Sequence, residues 1–338
     1  MFSAFPITDP TLIFFIVMLI ILFAPIVMGK LRIPHIIGMV LAGVAVGEYG
    51  FNILERDDSF ELFGRVGLYY IMFLAALEMD SGALKRNKYR FMIFGLTTFA
   101  VPFVLIYLLG TTFLNYTTAA SLLLATLMAS NTLIAYPIVG RYGLQRNPAV
   151  SLSVGSTMIA LFLSLVVLAM IVAAHNEDGG SLFWLWFVLK VVGFCGGMAF
   201  FVPRLTRWFL RRYSDAVMQF IFVMAILFLS ASVSSSIGLE GIFGAFLAGL
   251  ILNRYVPRLS PLMNRIEFIG NAIFIPYFLI GVGMLINLRL LFQGKGIVWV
   301  VLGITLVGTL GKAIAAYLAS WRFKMPAPSG QMMFGLTS

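Results

Sequence analysis

The sequence predicts an all-α protein that crosses a membrane many times. Hydrophobic residues make up 61% of its 338 positions and charged residues only 11%, and the mean hydropathy is +1.01. Soluble domains usually carry about 25% charged residues, so this composition excludes an ordinary soluble enzyme or binding module. The apolar residues also form runs about as long as a membrane-spanning helix, which needs roughly 20 of them.

Eleven such segments follow one another along the chain, and a twelfth begins near residue 328. The second and ninth are short and glycine-rich, which is typical of tilted or closely packed helices. The first is followed directly by Lys30 without a small-residue cleavage pattern, so we expect a retained helix and not a signal peptide. The predicted spans are 11–29, 34–50, 62–81, 91–114, 118–140, 149–174, 181–203, 217–236, 240–253, 266–287 and 296–320.

The net charge of +10 follows the connectors between these spans. Of the 23 Lys and Arg residues, 17 lie in connectors after odd-numbered spans, whereas the connectors after even-numbered spans hold mainly acidic residues. Basic residues stay on the cytoplasmic side of membrane proteins, so we expect the amino terminus outside. The basic excess then reflects orientation and contact with acidic membrane lipids, and not the binding of nucleic acid.

Few residues suit metal or covalent chemistry. The single Cys195 excludes a disulfide framework and a cysteine-rich metal site. The two histidines, His35 and His175, are predicted on opposite sides of the membrane, which argues against a paired metal site. The sequence has neither a glycine-rich phosphate loop nor a nucleophile elbow. We therefore expect no cofactor, and a membrane transporter in place of an enzyme.

The fifth predicted span is interrupted by the polar residues Ser130, Asn131 and Thr132, with Pro137 close behind. In lipid, backbone polar groups need internal partners, so an interrupted helix survives only where it lines a cavity. Secondary transporters bind substrate and coupling ions at such breaks. Oxygen ligands suit hard cations, so we predict that these three residues bind Na⁺ or K⁺. Polar contacts between helices, or a kink at Pro137 in a continuous helix, are the alternatives.

The sixth predicted span carries hydroxyl groups but no charge. Thr157 and Ser164 lie within its apolar run. Because hydroxyl oxygens can also coordinate a monovalent cation, we add both residues to the predicted ion-binding set.

Two stretches of the chain resemble each other at a nearly constant offset. Residues 37–43 match residues 243–249 at an offset of 206, and residues 70–80 match residues 277–287 at an offset of 207. The first pair lies in the second and ninth spans, which run in opposite directions, as in the inverted repeats of transporters. Chance similarity between Gly/Ala-rich helices is the alternative.

The repeat sets the expected domain organisation. We predict a single transmembrane domain over 1–338, with a first repeat at about 34–174 and a second at about 240–338. An offset of 207 carries residues 130–131 onto 337–338. We therefore expect a truncated domain whose chain ends where the second interrupted helix breaks.

Several segments together carry a resemblance to a known family. In this order they resemble the cation:proton antiporter superfamily, that is, the sodium/proton exchanger domain in its bacterial Kef-like branch. The resemblance covers almost the whole chain, and the ordered set is more specific than any one motif. The matching segments are 31–34 leading into 38–47, then 73–80, 244–249, 276–284 and the pair Gly311-Lys312.

The resemblance implies an architecture and a location. It implies an inverted-repeat fold of about thirteen helices, of which 11 to 12 are present in this sequence. Such a fold has a dimerisation domain and a core domain in which two discontinuous helices cross. It also implies a homodimer in a bacterial inner membrane.

The same resemblance implies acidic residues that this chain lacks. Family members read Thr-Asp-Pro or a near variant at the first break, where this chain has Ser130 to Thr132. They carry one or two aspartates on the following helix, at positions occupied here by Ala160 and Leu161. The lysine expected before the second break is present as Lys312.

Exchange for protons requires a group that titrates. A carboxylate near the bilayer centre suits this role, because partial desolvation raises the pKa of a carboxyl group toward physiological pH. Without an aspartate at 160 or 161, Lys312 is the first candidate proton carrier and Glu78 the second. Lys312 is expected in the middle of its span. Its amine is either neutral, paired with a distant carboxylate, in contact with a bound anion, or hydrogen-bonded to backbone carbonyls and water. The alternative for Glu78 is an interfacial ion-pair network with residues 85–90.

The sequence thus predicts a secondary transporter that exchanges a monovalent cation, Na⁺ or K⁺, for protons by alternating access. The alternative is a scaffold that has lost proton exchange and acts as a sensor, a regulated leak or a small-anion carrier. The expected partners are the cation, the proton, membrane lipids and a second copy of the chain.

Overall fold

The computed structural model of the protein consists of α-helices, and no strand forms among the residues it describes. These are residues 6–31, 33–79, 87–130, 135–145, 147–175, 181–257, 260–289 and 296–337. The helices of the first half are α1 (Pro10–Lys30), α2 (His35–Val46), α3 (Asp58–Glu78), α4 (Lys88–Leu108), α5 (Thr118–Ala129), α6 (Tyr136–Arg141) and α7 (Pro148–His175).

The second half of the chain continues the series of helices. They are α8 (Ser181–Arg212), α9 (Ala216–Ser236), α10 (Gly241–Leu252), α11 (Pro261–Ile269), α12 (Ile275–Met284), α13 (Ile297–Arg322) and α14 (Ala327–Thr337). A π-helical turn extends α4 over Leu109–Phe113, and another joins α11 to α12 over Gly270–Phe274.

The helix lengths agree with a protein that crosses a membrane many times. In the described part of the chain, eight helical segments are long and apolar enough to span a bilayer. Three shorter apolar helices, α2, α5 and α10, account for the remaining predicted spans. The eleven predicted segments are therefore confirmed as apolar helices, and α14 lies where the twelfth was expected.

The seventh segment is longer than predicted. Its helix, α8, passes through Pro203 and ends at Arg212, whereas the apolar run ends near residue 203. Beyond that point the helix is amphipathic, with Thr206 buried and the arginines exposed. Hydropathy alone does not reveal such a continuation, because the polar face lowers the average.

The tenth segment begins earlier than predicted, at Pro261 and not at residue 266. The Ser260 hydroxyl accepts a hydrogen bond from the backbone N–H of Met263 at 3.1 Å. Serine is a favoured N-cap residue, and proline is favoured in the first turn because it has no N–H to leave unpaired. These two local signals set the start of α11.

One compact unit consists of Met1–Ile71 and Asn264–Trp299. Within it, α2 packs along α12. The two helices cross at glycines: a Cβ added to Gly43 would lie 3.0 Å from the Cα of Gly283, and the reverse holds equally. Only glycine permits this approach, so the Gly-rich character of the second span reflects close packing.

The other compact unit consists of Met72–Met263 and Val300–Ser338. Here α7 contacts α4, α5, α10 and α14. Its approach to α4 depends on Gly155, since a Cβ at that position would meet the ring of Phe91. This unit contains all predicted ion-binding and proton-carrying residues.

The helix bounds agree with the offset of the predicted repeat. The helices α2 and α10 each have 12 residues, and their bounds differ by 206 at both ends. The helices α5 and α14 have 12 and 11 residues. Similar lengths are what a repeat requires, and the opposite direction of its two copies stays a prediction.

Candidate ion-binding site

The fifth span is interrupted at Ser130. The helix α5 ends at Ala129, and the backbone of Ser130 is extended, with φ −62° and ψ 140°. The chain therefore leaves the helix before Pro137, which lies in the first turn of α6. A continuous helix kinked at Pro137 is thus wrong. The predicted site residues Asn131 and Thr132 lie outside the described residues.

Lys312 reaches the end of α5 from α13. Its Nζ donates a hydrogen bond to the backbone oxygen of Ser130 at 3.3 Å. The neighbouring Gly311 lets α13 approach α4, since a Cβ there would lie 2.8 Å from the Cα of Pro102. Among the described residues, no carboxylate lies within ion-pair distance of Lys312. The amine therefore faces the carboxyl end of a helix, where the macrodipole carries partial negative charge.

The predicted hydroxyl groups of α7 are both buried, but their hydrogen bonds differ. The Ser164 hydroxyl donates to the backbone oxygen of Thr126 at 3.4 Å and so joins α7 to the last turn of α5. The Thr157 hydroxyl donates to the backbone oxygen of Ser153 in its own helix at 2.9 Å. Ser164 thus lies at the break, while the hydroxyl proton of Thr157 is committed within α7.

Ala160 and Leu161 lie between these two hydroxyl groups along α7. Their exposed fractions are 0% and 4%. Ala160 packs in an apolar cluster with Phe99 and with Ala129, the last residue of α5. Apolar packing therefore occupies the position beside the break where the resemblance implies an aspartate.

Glu78 is the last residue of α3, and only 6% of it is exposed. Its Oε2 accepts a hydrogen bond from the hydroxyl of Tyr136 at 2.7 Å. Tyr136 is the first residue of α6, so this contact joins the end of α3 to the second half of the interrupted span. Residues 80–86, which include Lys85 and Arg86 of the predicted interfacial network, lie outside the described residues.

An amide holds the backbone that carries Glu78. Asn253 directly follows α10, and its Nδ2 donates to the backbone oxygens of Ala76 at 3.4 Å, of Met79 at 2.8 Å, and of Leu77. The last carbonyls of a helix have no partner within the helix. Asn253 supplies one for the end of α3 and fixes the position of its last turn.

The structure therefore groups the predicted residues in two places. Ser130, Ser164 and Lys312 lie at the end of α5, and Glu78 lies with Tyr136 at the start of α6. No group of three or more His, Cys, Asp or Glu side chains among the described residues could hold a metal ion. Carbonyl and hydroxyl oxygens of this kind suit a monovalent cation, whereas an amine and a carboxyl group can exchange protons.

Sequence reasoning missed Tyr136 and Asn253. Each lies beside a helix end, Tyr136 just after the interruption and Asn253 after the glycine-rich α10. A polar residue beside a helix end is the sequence signal that could have indicated both. The partners themselves are 58 residues away for Tyr136 and at least 174 residues away for Asn253, which no local pattern reveals.

Comparison with known proteins identifies the family to which this sequence is similar. The family model described as sodium/hydrogen exchanger, transmembrane, matches residues 18–337. The match includes both halves of the interrupted span and Lys312.

Two relatives are similar over most of the chain. It is 34% identical to the Na(+)/H(+) antiporter NhaS5 of Synechocystis sp., over 100% of the chain and 48% of that protein. It is 29% identical to the probable Na(+)/H(+) antiporter 3 of Methanocaldococcus jannaschii, over 91% of the chain and 79% of that protein. The chain thus spans about half the length of the first relative.

A solved structure shares the fold. The sodium proton antiporter MjNhaP1 from Methanocaldococcus jannaschii superposes with a TM-score of 0.70 at 18% sequence identity. The alignment covers 96% of this chain and 81% of the other. The predicted antiporter-type membrane fold is confirmed.

Proposed function

We propose that the chain, which belongs to the sodium/hydrogen exchanger family, forms the membrane domain of a secondary transporter. This transporter exchanges Na⁺ or K⁺ for protons by alternating access. The break between α5 and α6 is the site that becomes open to one side of the membrane and then to the other, as interrupted helices do in other transporters.

One observation carries this proposal: the contact of Lys312 Nζ with the backbone oxygen of Ser130. A bound cation and a protonated amine are both attracted to the carboxyl end of α5. They therefore compete for the same carbonyl. When a cation takes the Ser130 oxygen, with Ser164, Asn131 and Thr132 as neighbouring ligands, Lys312 loses its partner and releases its proton.

Glu78 is the second candidate for the proton carrier. It is a buried carboxylate at the interrupted span, and Tyr136 is a donor placed to stabilise its ionised form. Because its hydrogen bond with Tyr136 joins it to α6, a proton taken up by Glu78 would act directly on the second half of the interrupted span. In the proposed ion-binding set, Thr157 on α7 contributes its hydroxyl oxygen as a further acceptor.

The proposal includes the setting of the domain. We infer a homodimer in a bacterial inner membrane, with the amino terminus outside and the basic connectors on the cytoplasmic side. The uneven placement of the 23 basic residues supports this orientation. The equal lengths and constant offset of α2 and α10 support an inverted repeat.

A second candidate function is favoured by the apolar packing at Ala160 and Leu161. With no carboxylate beside the break on α7, the scaffold could work without proton exchange, as a sensor, a regulated leak or a small-anion carrier. Replacing Lys312 with alanine separates the cases. Loss of cation-driven proton movement supports exchange, and loss of anion flux supports the alternative.

The test of the proposed function uses everted membrane vesicles. The full-length gene product is expressed in cells that lack their own antiporters, and the vesicles are energised in the presence of a ΔpH-sensitive dye. Exchange predicts recovery of dye fluorescence on addition of sodium, potassium or lithium gluconate, and no recovery with choline gluconate. No response to any cation, with the protein confirmed in the membrane, would overturn the proposal.

A further inference from the structure

The last turns of α8 form an open groove lined by arginine and tryptophan. The groove has a volume of about 710 Å³, and its lining residues are all exposed. They recur at the spacing that places side chains on one face of a helix. The residues are Arg204, Arg207, Trp208, Arg211 and Arg212.

Two of the guanidinium groups are held in place by the helix itself. Arg204 Nη1 donates to the backbone oxygen of Phe200 at 2.8 Å, and its guanidinium carbon lies 3.5 Å from the centre of the Phe200 ring. Arg207 Nε donates to the backbone oxygen of Pro203 at 3.2 Å. A guanidinium has five N–H donors, so each group keeps most of its donors for a ligand.

The described chain provides no counter-charge for this face. None of the four arginines forms an ion pair with a described carboxylate. The nearest acidic residue in sequence, Asp215, is engaged as the N-cap of α9, where it accepts hydrogen bonds from Val217 and Met218 at 3.0 and 2.8 Å. The helix dipole favours a cation in the last turn, but four unpaired positive charges exceed what it compensates. The face therefore has the charge to attract an external anion.

The position of the groove indicates where that anion lies. The segment Val188–Arg212 is apolar and long enough to cross a membrane, so its charged end reaches the membrane surface. Trp208 is 59% exposed, as is typical of tryptophans at the level of lipid head groups. The next residue, Phe209, stacks its ring on Phe222 of α9 at 4.3 Å and so holds the end of α8 against α9.

We propose that this groove binds the head group of an acidic phospholipid such as phosphatidylglycerol. The arginines donate to the phosphate oxygens, for which paired guanidinium N–H groups are well matched. Trp208 lies against the glycerol backbone and the start of the acyl chains. By the charge distribution this end of α8 is cytoplasmic, where acidic lipids attract basic side chains. The inference does not depend on which ion is exchanged, or on whether exchange occurs.

The test measures lipid binding to the purified chain in a neutral detergent by native mass spectrometry. Wild type is expected to bind one phosphatidylglycerol more tightly than phosphatidylcholine. The double variant Arg207→Gln, Arg211→Gln should weaken that binding about 25-fold, because each basic residue near an acidic lipid contributes about fivefold. The matched control Arg254→Gln, Arg322→Gln removes the same charge from other exposed helix ends and should leave the binding unchanged.

A third pair of variants separates charge from geometry. Arg207→Lys with Arg211→Lys keeps the charge at the end of α8 and should give an intermediate loss, since lysine does not bind phosphate in a bidentate way. Equal loss in the test and control pairs would overturn the proposal, and so would equal affinity of wild type for the two lipids. Inorganic phosphate that binds as tightly as phosphatidylglycerol would also overturn it, because the site would then not be specific for a lipid. The comparison of ligands on wild type needs no variant to fold.

Discussion

The two ends of the interrupted span carry different chemistry. At the end of α5, Lys312 contacts the Ser130 oxygen at 3.3 Å, and the facing part of α7 is apolar at Ala160 and Leu161. At the start of α6, the buried carboxylate of Glu78 accepts a hydrogen bond from Tyr136 at 2.7 Å. The ionisable groups described at the break therefore come from α13 and α3, and not from α7.

This separation has a practical consequence. In a buried ion pair, removing one partner leaves the other charge unpaired. The effect of such a variant then includes the cost of that unpaired charge as well as the loss of the residue's role in transport. Lys312 has a carbonyl partner and forms no ion pair with a described carboxylate. Its charge can be removed without stranding a buried carboxylate, and Glu78 can be changed with Lys312 in place. The contribution of each end can thus be measured alone.

The largest expected effect follows the replacement Lys312→Met, which keeps the length of the side chain and removes its charge. We expect cation-driven proton movement in everted vesicles to fall tenfold or more, because a charged hydrogen bond contributes about 1.5–3 kcal/mol. The matched control is Lys190→Met, since Lys190 is an exposed lysine on the apolar helix α8. Equal loss in both variants, or no loss in either, would contradict the role of Lys312.

The next effect concerns the Glu78 end. Tyr136→Phe removes one donor from a buried carboxylate, so we expect the free energy of unfolding to fall by about 1–3 kcal/mol. Glu78→Gln should reduce exchange about fivefold, consistent with a coupling of about 1 kcal/mol. Thermal unfolding of the purified protein and the vesicle assay measure the two effects.

The Glu78 prediction has an internal control. Tyr142→Phe changes an exposed tyrosine just after α6 and should leave the unfolding temperature unchanged. The losses in free energy of unfolding caused by Glu78→Gln and by Tyr136→Phe should not add in the double variant, because residues in contact show coupled free energies. Additive effects would show that the two side chains act independently.

A third prediction restores the carboxylate that α7 lacks. Leu161→Asp places an acid beside the break, and we expect it to introduce or sharpen a pH dependence of transport in the full-length protein. Leu161→Asn is the matched control, since it has the same size and a polar group but no charge. If the two variants share one pH profile and one rate, then the site does not face this part of α7.

The smallest expected effect is that of Asn253→Ala. Losing the amide that caps the carboxyl end of α3 should lower the free energy of unfolding by about 1 kcal/mol. Asn271→Ala, which changes an exposed amide in the π-helical turn after α11, should have no measurable effect. A loss of exchange in Asn253→Ala without a change in stability would point to a direct role in transport.

Positions along the chain could be predicted from sequence, but neighbours across helices could not. The run of polar residues from Ser130 predicted the interruption, because a broken backbone in lipid needs internal partners. The depth of Lys312 followed from counting along its span. Its contact with Ser130, 182 residues away, was not predicted, because the resemblance implied only that both residues belong to the ion-binding set. The contact of Tyr136 with Glu78 had no signal at all, since depth along a helix says nothing about which helix lies beside it.

Proton release on cation binding by the purified protein tests most directly whether the cation and Lys312 compete for the Ser130 oxygen. Titration calorimetry with Na⁺ or K⁺ in buffers of different ionisation enthalpy counts the protons released. We expect release by wild type and by Lys190→Met, and none by Lys312→Met. Cation binding by wild type without proton release, or unchanged release in Lys312→Met, would contradict this expectation.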